Sequence, residues 1–351
     1  MEQPERTKRS RHEWFKLVLP NGIPKLWCPP VTHYDDRGAI DRTRILAHLR
    51  FISPWVKGIL VPGSTGDGWE LTGEESQAVL DVALEAAQRF DMRVLVGALR
   101  PVSSDACQVM TDTARRLIAR TGSRQTDEWL AESRVCGFAV CPPRGAALAQ
   151  SDMQRELSGI LELGLPTALY QLPQVTQNEM SPELVANLAE RFGNFLLFKD
   201  TSGRDAVACS GRDLHGVFLV RGMEGEYERW LKPAGGPYDG FLLSAANCFP
   251  RQLHRVIDAA HAGLLAEARE AAQKLSTVVT AVFGLVKDVS GGNAFANANK
   301  ALDHFFAYGQ QAAKIPPPRL HSGGRLPVEV VRAVGSLLAS QGLLPERGYM
   351  E

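Results

Sequence analysis

The stretch GILVPGSTGDG (residues 58–68) joins a short apolar run to a glycine-rich turn, and the amphipathic segment Glu74–Phe90 follows it. That segment carries apolar residues at helical spacing on one side and acidic residues on the other, which predicts a helix. Thr72 and Glu75 stand where the N-cap and the third residue of this helix would lie, the pattern of a capping box. A run, a turn and a helix in this order make one βα unit.

The same unit recurs along the chain. Eight short apolar runs start about 22 to 43 residues apart, a spacing typical of repeated βα units. The runs are continuous rather than alternating, which favours parallel strands buried on both faces. Eight such units predict an α/β fold, a (β/α)8 TIM barrel, with a doubly wound sheet as the alternative. The runs are Pro24–Pro29, Gly58–Pro62, Arg93–Gly97, Cys136–Cys141, Pro166–Leu172, Phe195–Lys199, Val217–Gly222 and Gly240–Ser244.

The pattern divides the chain into an N-terminal arm (residues 1–20), the barrel (21–262) and a C-terminal helical region (263–351). The arm is basic and lacks an apolar core segment, so we expect a solvated extension rather than a signal peptide. Beyond residue 250 the sequence predicts helices and no further strand. The polar segment Thr121–Glu132 lengthens the gap between the third and fourth strands and predicts a surface insertion.

Composition excludes several classes of protein. Lys and Arg number 39, as do Asp and Glu, and this balance disfavours nucleic-acid binding. The chain has no apolar run long enough to span a membrane. Its six cysteines form no CxxC pair, so we expect buried free thiols and a cytoplasmic protein. The eight histidines form no zinc motif, and we expect neither a metal nor a cofactor.

Lys199 ends the apolar run Phe195–Lys199, and active sites of TIM barrels lie where the strands end. Its amine must enter the barrel mouth or extend to solvent. Burial would lower its pKa by disfavouring the charged form, and a neutral amine can attack a ketone to form a Schiff base. The alternative is a structural ion pair with Asp200 or another barrel carboxylate.

Two further features lie at the same predicted edge. Tyr170 ends the neighbouring strand, about 4.8 Å away in a sheet, where a phenol could shuttle protons; the alternative is a packing tyrosine. The loop Gly63–Gly68 offers main-chain N–H groups and the hydroxyls of Ser64 and Thr65, which could hold a phosphate or a carboxylate. It lacks the lysine of a P-loop, and a plain βα turn is equally compatible with it.

Three segments, GSTGDGWELT (63–72), LYQLP (169–173) and FKDTSG (198–203), occur in this order at the ends of the second, fifth and sixth predicted strands. In these segments the chain resembles the dihydrodipicolinate synthase/N-acetylneuraminate lyase family of class I aldolases. Residues 240–247 also resemble the family's eighth strand and the turn after it. The resemblance runs from about residue 24 to the C-terminus and leaves out only the arm and the segment 121–132.

The resemblance implies a mechanism. Lys199 would form an imine with a 2-oxo acid such as pyruvate, and Tyr170 and Thr65 would relay protons. Gly63, Ser64, Thr65 and Gly222 would form the substrate-binding site, with the first three residues at the carboxylate. The family also implies a homo-oligomer, either a dimer or a tetramer. We expect neither a nucleic acid nor a membrane as a partner.

Two departures from the family pattern affect the expected substrate. The turn CPPR (141–144) lacks the second tyrosine of the family's proton relay, and Arg144, in its place, is expected to be a surface or interface charge. Val175 stands about where the synthase has the arginine that binds its aldehyde's carboxylate, and valine cannot form that bidentate pair. We therefore expect a Schiff-base lyase, an aldolase or a dehydratase. The alternatives are dihydrodipicolinate synthase (4-hydroxy-tetrahydrodipicolinate synthase) and a non-catalytic metabolite-binding barrel.

Overall fold

The computed structural model describes residues 9–351, so the first eight residues of the predicted arm lie outside it. Eight parallel strands close into a barrel in sequence order, with β1 paired to both β2 and β8. The predicted TIM barrel is confirmed, and the doubly wound sheet is excluded because the sheet has no open edge. The strands are β1 (Leu26–Cys28), β2 (Gly58–Val61), β3 (Arg93–Gly97), β4 (Val135–Val140), β5 (Thr167–Gln171), β6 (Phe195–Asp200), β7 (Phe218–Arg221) and β8 (Gly240–Leu242).

Twelve α-helices are present in the described part of the chain, and α11 in the C-terminal region packs against the turns that follow β2 and β8. No strand follows β8 in the described residues, as predicted. The helices are α1 (Arg11–Val18), α2 (Arg42–Ile52), α3 (Gly73–Phe90), α4 (Ser103–Thr121), α5 (Thr126–Ser133), α6 (Gln150–Leu161), α7 (Pro173–Thr176), α8 (Pro182–Arg191), α9 (Pro250–His261), α10 (Leu265–Val286), α11 (Ala294–Tyr308) and α12 (Val328–Ser340).

Local sequence explains how the second βα unit, β2 with α3, forms. All four residues of β2 are buried, and a Cβ at Gly58 would lie 2.2 Å from the Trp27 ring, so only glycine fits there. The predicted capping box begins α3: the Glu75 N–H donates to the Thr72 hydroxyl at 3.2 Å, and the Thr72 N–H donates to the Glu75 carboxylate at 2.8 Å. Capping supplies partners for main-chain groups that the helix leaves free.

The described part of the arm is not solvated, contrary to prediction. Residues 11–18 form α1, and its Arg11 guanidinium donates to the Phe195 carbonyl at 2.6 Å and to the Ala189 carbonyl at 2.6 Å. Trp14 is buried on the same helix. The basic composition hid this docking because arginine can satisfy main-chain carbonyls while its stem packs against apolar surface.

The polar segment 121–132 also contributes to the core. It ends α4 and forms most of α5, whose Trp129 and Leu130 are buried. The cysteine prediction is right for four of the six: Cys107 is half-buried and Cys209 is exposed. No helix in residues 9–351 combines the length and the apolar character needed to cross a bilayer.

Candidate active site

Lys199, near the end of β6, lies inside the barrel mouth and is 5% exposed. Its Nζ lies 3.8 Å from the centre of the Tyr170 ring, and within residues 9–351 it forms no ion pair. Asp200 points elsewhere, since its carboxylate accepts from the Ser202 N–H at 2.8 Å. The ion-pair alternative with Asp200 is therefore not what the structure shows. Burial lowers the pKa of Lys199 to about 7.

Tyr170 lies opposite Lys199 in the register of β5 and β6. It is buried, and burial raises the pKa of its phenol, while the neighbouring Ser64 and Thr201 hydroxyls oppose that rise. Thr65 is buried in the turn beside Ser64, but the hydroxyls acting on the phenol are those of Ser64 and Thr201. Thr201 was not predicted; it follows β6 by one residue, so its position was available from the sequence.

The loop Gly63–Gly68 is a tight turn packed against the segment after β1. A Cβ at Gly66 would lie 2.5 Å from the Pro30 carbonyl oxygen, and the Gly66 carbonyl accepts from the Thr32 hydroxyl at 2.7 Å. Ser64 and Thr65 begin the turn, where main-chain N–H groups have no partner within the turn itself. These two N–H groups are thus suited to an anion.

Helix α11 holds this loop from the other side. Lys300 donates to the Asp67 carboxylate at 2.7 Å, and Tyr34 donates to the same oxygen at 2.9 Å. Asn293, which caps α11, donates to the Ser64 carbonyl at 3.0 Å. The C-terminal helical region therefore positions the predicted substrate-binding loop.

Gly222 and Glu224 follow β7. A Cβ at Gly222 would lie 2.2 Å from Thr201 Oγ1 and 2.8 Å from Lys199 Cε, so glycine makes room for the lysine side chain. Glu224, which we did not predict, is half-buried, and its carboxylate accepts from the Ser244 hydroxyl at 2.7 Å and the Tyr227 hydroxyl at 2.9 Å. Burial raises the pKa of Glu224, and the Lys199 charge opposes that rise.

The remaining half of the mouth is apolar. A cluster separate from the main core consists of Leu99, Cys141, Tyr170 and Leu172, with Trp69 and Val175 packed on it. Val175, which is expected about where the synthase pattern has arginine, is half-buried in α7 on this cluster. Arg144 is exposed, in agreement with its expected surface role.

One group of side chains has the composition of a metal site. His33, His48 and Asp303 place donor atoms within 4.8 Å of one another, and all three are buried. However, the Asp303 carboxylate accepts from Arg44 at 2.8 Å and from Tyr349 at 2.8 Å. A guanidinium at this distance repels a cation and already neutralises the carboxylate. We therefore interpret the group as a structural network between α2 and α11.

Known proteins resemble this chain in sequence. The model of the dihydrodipicolinate synthetase family matches residues 105–288, more than half of the chain. The chain belongs to this family. A 4-hydroxy-tetrahydrodipicolinate synthase of Methanospirillum hungatei is 27% identical over 248 residues, which cover 68% of this chain and 75% of the relative. A DapA-like lyase of Rhizobium meliloti is 26% identical over 171 residues, which cover 48% of this chain and 51% of the relative.

Solved structures show the same fold at low identity. The prophage protein YagE of Escherichia coli K12, crystallised with pyruvate, matches with a TM-score of 0.72 and 18% identity, over 92% of this chain and 99% of the other. A 2-keto-3-deoxygluconate aldolase variant of Sulfolobus solfataricus matches with a TM-score of 0.69 and 16% identity, over 91% of this chain and 96% of the other. Family membership makes this chain an aldolase-type lyase.

Proposed function

We propose that this enzyme forms a Schiff base between Lys199 and the ketone of pyruvate or a related 2-oxo acid, and catalyses aldol chemistry or dehydration on it. The observation that carries the proposal is a buried amine at a strand end, which lies over a phenol ring and has no paired carboxylate among residues 9–351. Such an amine is neutral and nucleophilic near neutral pH. Tyr170 lies at the same barrel mouth. So does the loop Gly63–Gly68, which we expect to bind an anion and call the anion loop.

Each residue of the site has its own role in this reaction. The N–H groups of Ser64 and Thr65 hold the carboxylate of the 2-oxo acid, with Gly63 completing the turn, and Lys199 Nζ attacks its C2. Loss of water gives the imine, and loss of a proton from C3 gives the enamine. Tyr170 moves the protons of the carbinolamine, assisted by Ser64 and Thr201, whose hydroxyls neighbour its phenol. Thr201 Oγ1 is buried without a hydrogen-bond partner in the described structure, so it is free to bind a water or a substrate oxygen.

The alternative reaction, dihydrodipicolinate synthesis, is the activity in the names of several relatives, including the Methanospirillum hungatei protein. Val175 disfavours it, because a half-buried valine on an apolar cluster offers no charge for the carboxylate of aspartate semialdehyde. Loss of one charge-assisted contact costs about 1.5–3 kcal/mol. We expect slow dihydrodipicolinate formation in a coupled assay; efficient formation would restore this alternative.

Borohydride trapping tests the proposal. Incubation with pyruvate followed by reduction should add one reduced pyruvyl group to the peptide that contains Lys199. Lys274, on α10, serves as an internal control because it lies outside the mouth. Labelling at another lysine, or no labelling with pyruvate or longer 2-oxo acids, would contradict the mechanism.

A further inference from the structure

We propose that the second substrate is an aldehyde with an uncharged, apolar side chain, which binds on the apolar patch of the mouth. The apolar patch is the surface formed by Trp69, Leu99, Cys141, Leu172 and Val175 around the Tyr170 ring. This inference rests on the proposed function, since it assigns the partner of the Lys199-bound enamine.

The patch has a buried base and a partly exposed surface. The base consists of Leu99, Cys141 and Leu172, which are at most 3% exposed. Trp69 and Val175 are half-buried and pack on it. The Trp69 indole N–H donates to the Ser64 hydroxyl at 2.8 Å, which fixes its ring beside the anion loop. Apolar surface that is partly open at a reacting centre favours an apolar ligand group because binding removes both surfaces from water.

Lys199 borders this patch directly. Its Nζ lies 3.8 Å from the centre of the Tyr170 ring, and that tyrosine belongs to the patch. The patch is built from residues at or after the ends of β2, β3, β4 and β5, and β5 is the hydrogen-bonded neighbour of β6. An electrophile that approaches the enamine from this side meets carbon atoms rather than charges.

The Glu224 carboxylate, on the polar side of the mouth, is already occupied by its own hydrogen bonds. Glu224 Oε1 accepts from the Ser244 hydroxyl at 2.7 Å and the Ala245 N–H at 2.9 Å, and Oε2 accepts from Tyr227 at 2.9 Å. A hydroxylated aldehyde that bound Glu224 would have to compete with these contacts. The structure therefore favours the apolar side for the side chain of the electrophile.

Arg100 is a cation near this side that could reverse the preference. It follows Leu99, is half-buried, and donates to the Leu99 carbonyl at 2.7 Å. A guanidinium that reached into the mouth instead would favour an aldehyde with a carboxylate. Whether the aldehyde binds beside Val175 or beside Arg100 therefore determines the substrate specificity, and both residues can be mutated.

The reaction balances without a further reactant. The enamine C3 forms a bond to the aldehyde carbon, and the carbonyl π pair becomes an alkoxide that takes the proton from Tyr170. The π pair of the enamine C=C forms this new bond, the nitrogen lone pair becomes the C=N bond of the iminium, and water hydrolyses the iminium to free Lys199. The product is a 4-hydroxy-2-oxo acid with the apolar group on C4, and the proton that Tyr170 gives to the alkoxide is the one it took from C3 when the enamine formed.

The experiment compares benzaldehyde, glyceraldehyde and aspartate semialdehyde with saturating pyruvate, and follows pyruvate consumption. Benzaldehyde should have a kcat/KM at least about tenfold above both polar aldehydes, because apolar contacts discriminate on this scale. Val175→Arg should lower the benzaldehyde value by about tenfold or more and raise that of aspartate semialdehyde. Val175→Ile, which keeps the surface apolar, should preserve the order.

The outcomes separate the two proposals. Absence of pyruvate trapping on Lys199 refutes the proposed function itself. Trapping with a preference for either polar aldehyde, or with no aldehyde consumed, leaves the Schiff base intact and overturns this inference. If Arg100→Gln selectively removes activity on aspartate semialdehyde in an enzyme that prefers it, Arg100 rather than the patch determines the substrate.

Discussion

The molecule buries two lysines in opposite ways. Lys199 at the end of β6 and Lys300 on α11 are 5% and 1% exposed, and each amine lies over a tyrosine ring, Tyr170 at 3.8 Å and Tyr34 at 4.7 Å. Lys300 donates to the Asp67 carboxylate at 2.7 Å, whereas Lys199 forms no ion pair in the described structure. The two regions differ in whether a carboxylate pairs with the amine: Lys300 forms a structural ion pair, and Lys199 is the proposed nucleophile.

Desolvation disfavours the charged form of both lysines, and its effect on each pKa depends on whether a carboxylate lies beside the amine. Burial lowers the pKa of both lysines, but for Lys300 the Asp67 carboxylate opposes the shift strongly, through charge and a hydrogen bond. The 2.7 Å contact with Asp67 pairs the Lys300 amine with a carboxylate and ties α11 to the loop Gly63–Gly68. An unpaired ammonium loses its proton near neutral pH and becomes able to attack a carbonyl.

The largest effect is expected at Lys199. Lys199→Arg keeps an extended stem with a cation that stays protonated, so it should abolish pyruvate trapping and reduce turnover to background. Lys300→Met should retain trapping at Lys199. Mass spectrometry after borohydride reduction distinguishes the two variants, and the comparison fails if Lys300→Met loses trapping while remaining folded.

The second largest effect is expected when the two tyrosines beneath these lysines are varied. Tyr170→Phe keeps the ring under Lys199 and removes the proton donor, so imine formation should slow by about 10²–10⁴-fold. Tyr34→Phe is the matched control, since it keeps the ring under Lys300 and removes only the hydrogen bond to Asp67. Stopped-flow kinetics of imine formation should show little change in this control. Equal rates in wild type and Tyr170→Phe would make Tyr170 a packing residue.

The ion pair should affect stability more than chemistry. Lys300→Met leaves the Asp67 carboxylate buried without its cation, which should lower the free energy of unfolding by about 3–5 kcal/mol. The double variant Asp67→Asn/Lys300→Met removes both charges and should recover much of that loss. Urea unfolding measures both, and a double variant less stable than the single one would contradict an ion pair that acts as a unit.

The sequence was sufficient for the barrel and for the positions of several candidate site residues. Apolar runs bounded by turns gave all eight strands, and Lys199 and Tyr170 could be placed side by side because they end neighbouring strands. Ser64 and Gly222 were accessible by the same reasoning. Glu224 was missed although it follows Gly222 by only two residues, because strand-end reasoning stopped at the glycine.

Other features depend on contacts that no local pattern contains. Lys300 and Asp67 are 233 residues apart in sequence, and an isolated helix gives no indication of which loop it will contact. The apolar patch combines residues from several loops that only the closed barrel brings together. Trp129 was assigned to a polar insertion because the surrounding residues are charged, yet its buried indole, together with Leu130, docks the helix against the core.

The pH dependence of imine formation at Lys199 tests the central claim most directly. Enzyme and pyruvate are mixed at each pH, quenched with borohydride at successive times, and the labelled Lys199 peptide is quantified. Because the neutral amine is the nucleophile and burial lowers the Lys199 pKa to about 7, the rate should rise about tenfold per pH unit below that value and level off above it. A rate that continues to rise toward the ordinary lysine pKa of about 10.4 would show a protonated, paired Lys199 and contradict the account.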